Sequence, residues 1–384
     1  MRRAASLAGF SVPLIIVVGS FGGACSFAGT TPETGNAVDG GPEVDAVIPV
    51  SEFRRPIELN PPSLTQDLAR VPLAIRLDAD PHLAGEILPD GADIFVIDHK
   101  GAQLPVEIER LDSSRGSLLA WVVLRELPMS GTTIYLHYGG DAATGNDRNP
   151  WEGVASLVWH MATIDGDIVY DSAPASFDGI SQNGSVTPSD GMFAGALTLS
   201  DAAVVVSSED NLNVDRNPFT LELWFNQLEA VGDNDTGFFK GGPTVGRPGY
   251  QMELGNGDWT GGVRDNDSGL FNQQEQYSVT FGNQATLGPT GWHHLAMVLD
   301  RQGDRLRAYV DGVETDSSGI DSLSSLNGNA DKARVGGLAD LLRGTLDEVR
   351  LIESAASADW VAVSYANGMD TLAVIGDPEA SPIE

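Results

Sequence analysis

The run Phe219-Thr220-Leu221-Glu222-Leu223-Trp224-Phe225 alternates apolar and other side chains, a pattern suited to a strand and not to a helix. In an extended chain successive side chains point to opposite faces. Phe219, Leu221, Leu223 and Phe225 therefore share one face, and Thr220, Glu222 and Trp224 the other. Short apolar runs of this kind recur along most of the 384 residues, separated by turns drawn from 45 Gly and 21 Pro. A chain so patterned must bury sheet against sheet. The predicted fold class is all-β, with two β-sandwich domains at 51–150 and 151–373 and a C-terminal tail at 374–384.

Residues 1–25 read as a lipoprotein-type signal peptide. Arg2 and Arg3 form a charged start, Leu7 to Val18 is a mostly apolar run broken by Pro13, and Gly22, Gly23 and Ala24 precede Cys25. The run is short for a membrane-spanning helix. Cys25 is the single cysteine, so there is no disulfide framework. Its setting resembles a bacterial lipobox, with Gly22 where Leu is usual, and the resemblance implies lipidation of Cys25. The alternative is ordinary cleavage after Ala28. Residues 26–50 are too polar to bury a core and read as a flexible tether. Ser26 after Cys25 is similar to the sorting pattern of outer-membrane lipoproteins. The expected location is the outer membrane or cell surface, held by a lipid anchor only, with a secreted or periplasmic protein as the alternative.

The charge balance narrows the partners. With 22 basic and 54 acidic residues, the formal net charge is −32. A field of that sign repels nucleic acid, which is not expected as a partner.

In the first domain the predicted strands are 55–59, 71–77, 93–98, 104–110, 118–124 and 132–138, with no amphipathic helix among them. Ile94 to Asp98 is apolar on both faces and is expected at the centre of a sandwich. The blocks Phe53-Arg54-Arg55-Pro56-Ile57, Gly91-Ala92-Asp93-Ile94, Leu104 to Glu109, Ala120-Trp121-Val122 and Thr132 to Gly139 are similar to an uncharacterised β-domain of bacterial surface proteins. That resemblance implies architecture only. The family usually has Asn after its final Tyr-Gly, where this chain has Gly140.

In the second domain Trp292 to Leu299 is apolar on both faces and reads as a central strand. Asp311-Gly312 is a tight-turn signal between Arg305–Val310 and the residues from Val313. Arg343 to Ile352 is a further strand. A closing helix is predicted with Ser357 as its N-cap and Asn367-Gly368 as its stop. Phe219 to Phe225, Gly291 to Ala296, Leu306 to Gly312, Arg334 to Gly337 and Gly344 to Arg350 resemble, in order, the motifs of laminin G-like domains. The resemblance implies a concanavalin A-like jelly roll. Its members bind glycans, proteins or calcium.

The residues give little support to catalysis. Cleaving a glycan requires two carboxylates about 5–10 Å apart across the bond, and the E-x-D-x-x-E strand of related hydrolases is absent. Glu107 and Glu109 share a face but read as solvated, and no nucleophile elbow, zinc helix or phosphate loop is present. For metal, Asp233-Asn234-Asp235-Thr236-Gly237 and Asp265-Asn266-Asp267-Ser268-Gly269 are near-identical loops that can turn hard oxygens onto one ion. The same residues are also ordinary turn vocabulary. Asp347, placed by strict alternation on the Val349 and Leu351 face, needs a partner: calcium, backbone N–H groups or an arginine. Asp171 is a second candidate ligand. The adjacent His293 and His294 face opposite ways and cannot share an ion; His294 reads as a core residue. For sugar stacking the candidates are Trp224, with Glu222 beside it, Tyr250 and Trp259. The function read from the sequence is recognition of a glycan or a surface protein, with or without the aid of Ca2+. The alternatives are a structural or adhesive envelope component and, behind it, a polysaccharide-cleaving enzyme.

Overall fold

A computed structural model describes residues 50–382, apart from 143–147, 209–211, 229–234, 242–247, 256, 266–275, 289–290, 329 and 338–341. The signal segment and Cys25 lie outside the described residues. The described residues form one compact unit, in which the stretch expected as the first domain contains β1 (Ser51–Leu59), β2 (Val71–Leu77), α1 (Pro81–Glu86), β3 (Phe95–Ile97), β4 (Gln103–Leu104), β5 (Val106–Asp112), β6 (Ser117–Leu124) and β7 (Thr132–Gly140). The strands stand close to their predicted places. The short helix α1 was not foreseen, although its signal is local. Pro81 opens it, and the Asp80 side chain accepts from the Leu83 N–H at 2.7 Å.

These strands form two sheets. One runs β22-β1-β7-β3-β4, with β23 also on β1; here β22 (Ala373–Ile375) and β23 (Glu379–Ala380) come from the far end of the chain. The segment 374–384, expected as a tail, thus supplies edge pairing to the first sheet, with Ile57 opposite Ile375 and Phe53 opposite Ala380. The other sheet is β2-β6-β5. Every residue of β6 is buried. Trp121 packs toward the second domain, against Trp151, His160 and Phe193. Its neighbours Ala120 and Val122 point by alternation to the other side. Neither face of β6 is therefore wet.

The second domain comprises β8 (Ala155–Trp159), β9 (Ile168–Val169), β10 (Gly179–Ser189), β11 (Ala196–Val206), β12 (Phe219–Gln227), β13 (Asp235–Lys240), β14 (Gly249–Gly255), β15 (Asp258–Arg264), β16 (Gln276–Asn283), α2 (Gln284–Leu287), β17 (Trp292–Asp300), β18 (Arg305–Val310), β19 (Val313–Gly319), β20 (Arg334–Gly336), β21 (Arg343–Ile352) and α3 (Ala358–Gly368). Its strands pair into one strongly wrapped sheet of 14 strands among the described residues, along β16-β15-β14-β13-β20-β11-β21-β12-β17-β18-β19 with β8, β9 and β10 at its side. Phe219, Leu221, Leu223 and Phe225 fill its interior with Leu295, Met297, Leu299, Val349 and Leu351. The opposite face of β17, Ala296 and Val298, joins the apolar cluster that includes β2 and β6. The two-faced reading of β17 is met. Asp311 (φ 50°) and Gly312 (φ 80°) make the expected tight turn between β18 and β19.

Helix α3 explains what covers the outer face of β12. Ser357 caps it through the Trp360 N–H at 3.2 Å. On one side Ser364 donates to Glu222, and Tyr365 stacks on Trp224 with centroids 5.7 Å apart. On the other, Asn367 accepts from the Ala74 N–H at 3.1 Å and the Trp360 indole donates to the Arg70 carbonyl. The helix is a wedge common to both sandwiches. A methyl group on Gly368 would stand 2.0 Å from Trp224. Gly368→Ala should therefore destabilise the protein by about 1–3 kcal/mol through overpacking, read as a lower urea midpoint. An unchanged midpoint would contradict the docking of α3 on β12.

Candidate functional site

Where the two domains meet, two strands break their own register. Between β5 and β6, Ile108 pairs with Ala120 and Arg110 with Leu119, which leaves Glu109 as an extra residue. Between β12 and β21, Glu222 pairs with Arg350 and Trp224 with Asp347, so β21 carries one residue more than its partner. Glu348 at that bulge has φ +50°, which is unfavourable for a residue with a Cβ. Bulges re-aim side chains. The alternation expected from the sequence placed Asp347 with Val349 and Leu351. The bulge overturns it: Val349 and Leu351 enter the jelly-roll core, and Asp347, Glu348 and Arg350 go to the side facing the first domain.

His160, just past β8, stands at the centre of this junction and is buried. Its Nδ1 lies 2.8 Å from Glu348 Oε1 and 3.5 Å from Glu109 Oε2; its Nε2 lies 3.2 Å from Glu107 Oε2. The Trp121 indole donates to Glu109 at 2.6 Å. The Trp151 indole and the Ser172 hydroxyl donate to Glu107, each at 2.5 Å. Beside it, Arg350 Nε lies 2.9 Å from Glu222 Oε1, and Glu222 Oε2 meets His294 Nε2 at 3.1 Å and the Ser364 hydroxyl at 2.9 Å. Arg350 also lies over the Trp121 ring, 5.2 Å from its centroid.

Burial and pairing compete at each group. Burial opposes a charged His160, but the carboxylates of Glu348 and Glu109 prevail and hold its pKa well above the usual value. Burial pushes Glu109 up to about 7, with the His160 charge pulling against it. Burial also raises Asp347 well above the carboxylate range, helped by Glu348 and Glu109. Glu107 is held low: burial alone would raise it, and its bond to His160 reverses the sign. At Glu222 burial is outweighed by Arg350, and its pKa falls to about 2.

The residues expected to bind ligand are interior. Glu222 and Trp224 lie under α3 and are fully buried, as is Trp259, which packs on Phe225 at 4.9 Å. Tyr250 is buried and donates to the Leu212 carbonyl at 2.8 Å. None offers a ring face to a sugar, because β14 and β15 are inner strands of the sheet and turn these rings into the core. The metal candidates do not converge among the described residues. Asp171 spends both oxygens on the N–H groups of Val158, Ala173 and Phe177. Asp347 Oδ2 accepts from Met192 and Phe193, and Asp265 Oδ2 from the backbone and hydroxyl of Ser324. These three act as backbone anchors and do not form a calcium cage. Asp235 opens β13 opposite Leu254, and its side chain, with Asp233 and Asp267, lies outside the described residues. Glu107 and Glu109, read as solvated, are instead covered by the second domain. A signal for this was available, since they lie on the strand beside β6, which is apolar from Leu118 to Leu124 and carries the indole donor Trp121.

An open feature lies elsewhere. A cleft of about 560 Å³ is lined by Pro218, Asp300, Arg307, Tyr309, Glu314 and Ser357. Arg307 NH1 meets Asp300 Oδ2 at 3.0 Å, and its Nε lies 3.8 Å from Glu314 Oε2, to which Tyr309 donates at 3.2 Å. Planar guanidinium and carboxylate groups at a cleft wall can bind vicinal hydroxyls or charged side chains.

Residues 199–362 match the family model of the concanavalin A-like lectin/glucanases superfamily, laminin G type. No curated protein matches the chain in sequence. Among solved structures, the binding domain of Paraclostridial Mosquitocidal Protein 1 is similar at 13% identity and a TM-score of 0.44, covering 56% of this chain and 52% of that one. The ligand binding domain of botulinum neurotoxin serotype D, solved with N-acetylneuraminic acid, has 13% identity and a TM-score of 0.42, covering 55% and 50%. The serotype G binding domain gives the same identity, TM-score and coverage. The similarity thus spans about half the length of those chains.

The ionic core generates a test with a definite sign. Glu222 titrates near 4.5 in an unfolded chain and near 2 in the folded one. Its contribution is therefore complete above about pH 4.5 and disappears as pH falls through 2, on the order of 3 kcal/mol. Urea midpoints between pH 5 and pH 2 should fall steeply in the native chain and less steeply in Glu222→Gln. At pH 7 that variant should lose about 3–5 kcal/mol, since it leaves Arg350 buried without its carboxylate. Identical pH slopes would refute the pairing.

Proposed function

Because the second sandwich is a laminin G-like jelly roll of the concanavalin A-like superfamily, we propose that the chain is a surface recognition module. Its ligand is a glycan or a protein, engaged through the Asp300–Arg307–Glu314 cleft. The observation that carries this reading is the cleft itself: opposed charged groups, partly exposed and pre-positioned by Tyr309, on strands anchored in the core. Rigid polar groups at a concave wall recognise without reorganising.

The same geometry favours binding over hydrolysis. A general acid needs a carboxyl with a raised pKa. Asp300 goes the other way: against its partial burial, the Gly303 N–H and Arg307 hold it below the usual range. A structural or adhesive envelope role is the second reading. Display at the outer membrane or cell surface through a lipidated Cys25 belongs to the proposal. Calcium enters it only through Asp233, Asp235 and Asp267.

Two experiments test this. On a glycan array and in pull-downs of surface proteins, with and without millimolar calcium, the native chain should retain a ligand, and Arg307→Ala or Glu314→Ala should weaken it at least tenfold. Retention unchanged in both variants, or release of reducing sugar by the native chain, counts against the cleft as a recognition site. In the producing cell, Cys25→Ala should move the protein from the membrane fraction to the soluble fraction; continued sedimentation with membranes would remove the lipid anchor.

A further inference from the structure

We propose that Glu109, His160 and Glu348 form a site for one divalent transition-metal ion of the zinc type, which clamps the first sandwich to the jelly roll. The inference is independent of the recognition cleft. One ligand atom from each residue lies within 4.8 Å of the others. Metal–ligand bonds of about 2.0–2.2 Å in a tetrahedral site put neighbouring donors about 3.4 Å apart. His160 Nδ1 stands 2.8 Å from the Glu348 oxygen and 3.5 Å from the Glu109 oxygen, which brackets that spacing. The Glu109 and Glu348 oxygens also lie within 4.8 Å of each other, so all three donors face one point.

The surroundings are those a metal-bound imidazole requires. Glu107 Oε2 faces His160 Nε2 at 3.2 Å, so the remote nitrogen can keep its proton and leave the Nδ1 lone pair for the ion. Glu107 is in turn fixed by Trp151 and Ser172, and Glu109 by Trp121.

A second observation points to a cation. Glu109 Oε1 and Glu348 Oε2 are buried and accept no hydrogen bond. Acceptors desolvated without donors are costly. Arg350 NH1 approaches Glu348 Oε2 only to 3.8 Å while its Nε pairs with Glu222, and Arg76 NH1 pairs with Asp370. A dication would relieve what these arginines leave. One imidazole with two carboxylates suits zinc, cobalt or manganese, whereas calcium and magnesium prefer oxygen alone. The ligands also come from separate pieces of chain: β5, the residue after β8, and β21. Both acids stand at β-bulges, which aim them at one point.

The test uses the full chain, stripped with a chelator and titrated with Zn2+, Co2+ and Ca2+ by calorimetry. The expected result is one tight equivalent of Zn2+ or Co2+, a Co2+ visible band of low-symmetry type, and quenching of Trp121 and Trp151 fluorescence by Co2+. Zn2+ should raise the melting temperature. Glu109→Gln and Glu348→Gln should each weaken binding at least tenfold while circular dichroism stays native, and Arg307→Ala should bind metal normally. The proposal is overturned if the stripped native chain takes up no stoichiometric Zn2+, if folded Gln variants bind as tightly as the parent, or if Ca2+ competes equally. Should the Gln variants fail to fold, the native titration and the tryptophan quenching decide alone.

Discussion

Burying charge between two apolar sheets is the constraint on which this structure depends. A carboxylate or a guanidinium removed from water costs several kcal/mol unless a partner replaces the lost solvent. Here part of the pairing crosses between the domains, Glu107 and Glu109 of the first meeting His160 of the second, while Glu348 pairs with His160 and Arg350 with Glu222 inside the second. The indoles of Trp121 and Trp151 supply both donors and apolar walls, so the same residues satisfy the charges and exclude water. Polar pairing of this kind fixes one docking geometry more firmly than it adds stability.

The rest of the architecture serves that contact. The middle sheet gives one face to the first sandwich and the other to the jelly roll, and α3 seals the edge by bonding to β2 on one side and β12 on the other. The chain returns through β22 and β23 to the first sheet, so the jelly roll is inserted between two segments of the same sheet. Separation of the sandwiches would expose apolar surface and unpaired charge together. The exposed cleft at Arg307 is carried by this fixed frame, and its walls need little ordering when a ligand arrives.

The alternation of Phe219 to Phe225, the two-faced β17, the Asp311-Gly312 turn and the capped α3 were all legible in the sequence, since each follows from local geometry. The site was less so. Strict alternation misplaced Asp347 because a bulge adds a residue without a sequence mark; Glu348, which takes the left-handed conformation, is neither Gly nor Asn. Trp224 reads as a sugar platform because a polar strand face is also what a helix can cover, and α3 covers it; Trp259 reads as one because glycines flank it, but β15 turns its ring into the core. Glu107 and Glu109 looked solvated because the surface that buries them lies in another domain. Pairing across domains leaves no periodicity in either one.

The central claim is that the two sandwiches are one cooperative unit, joined through the charged junction and α3. Differential scanning calorimetry of the full chain tests it most directly. The account requires one transition whose calorimetric and van't Hoff enthalpies agree. Two separate transitions, with one sandwich melting while the other keeps its native signal, would contradict it.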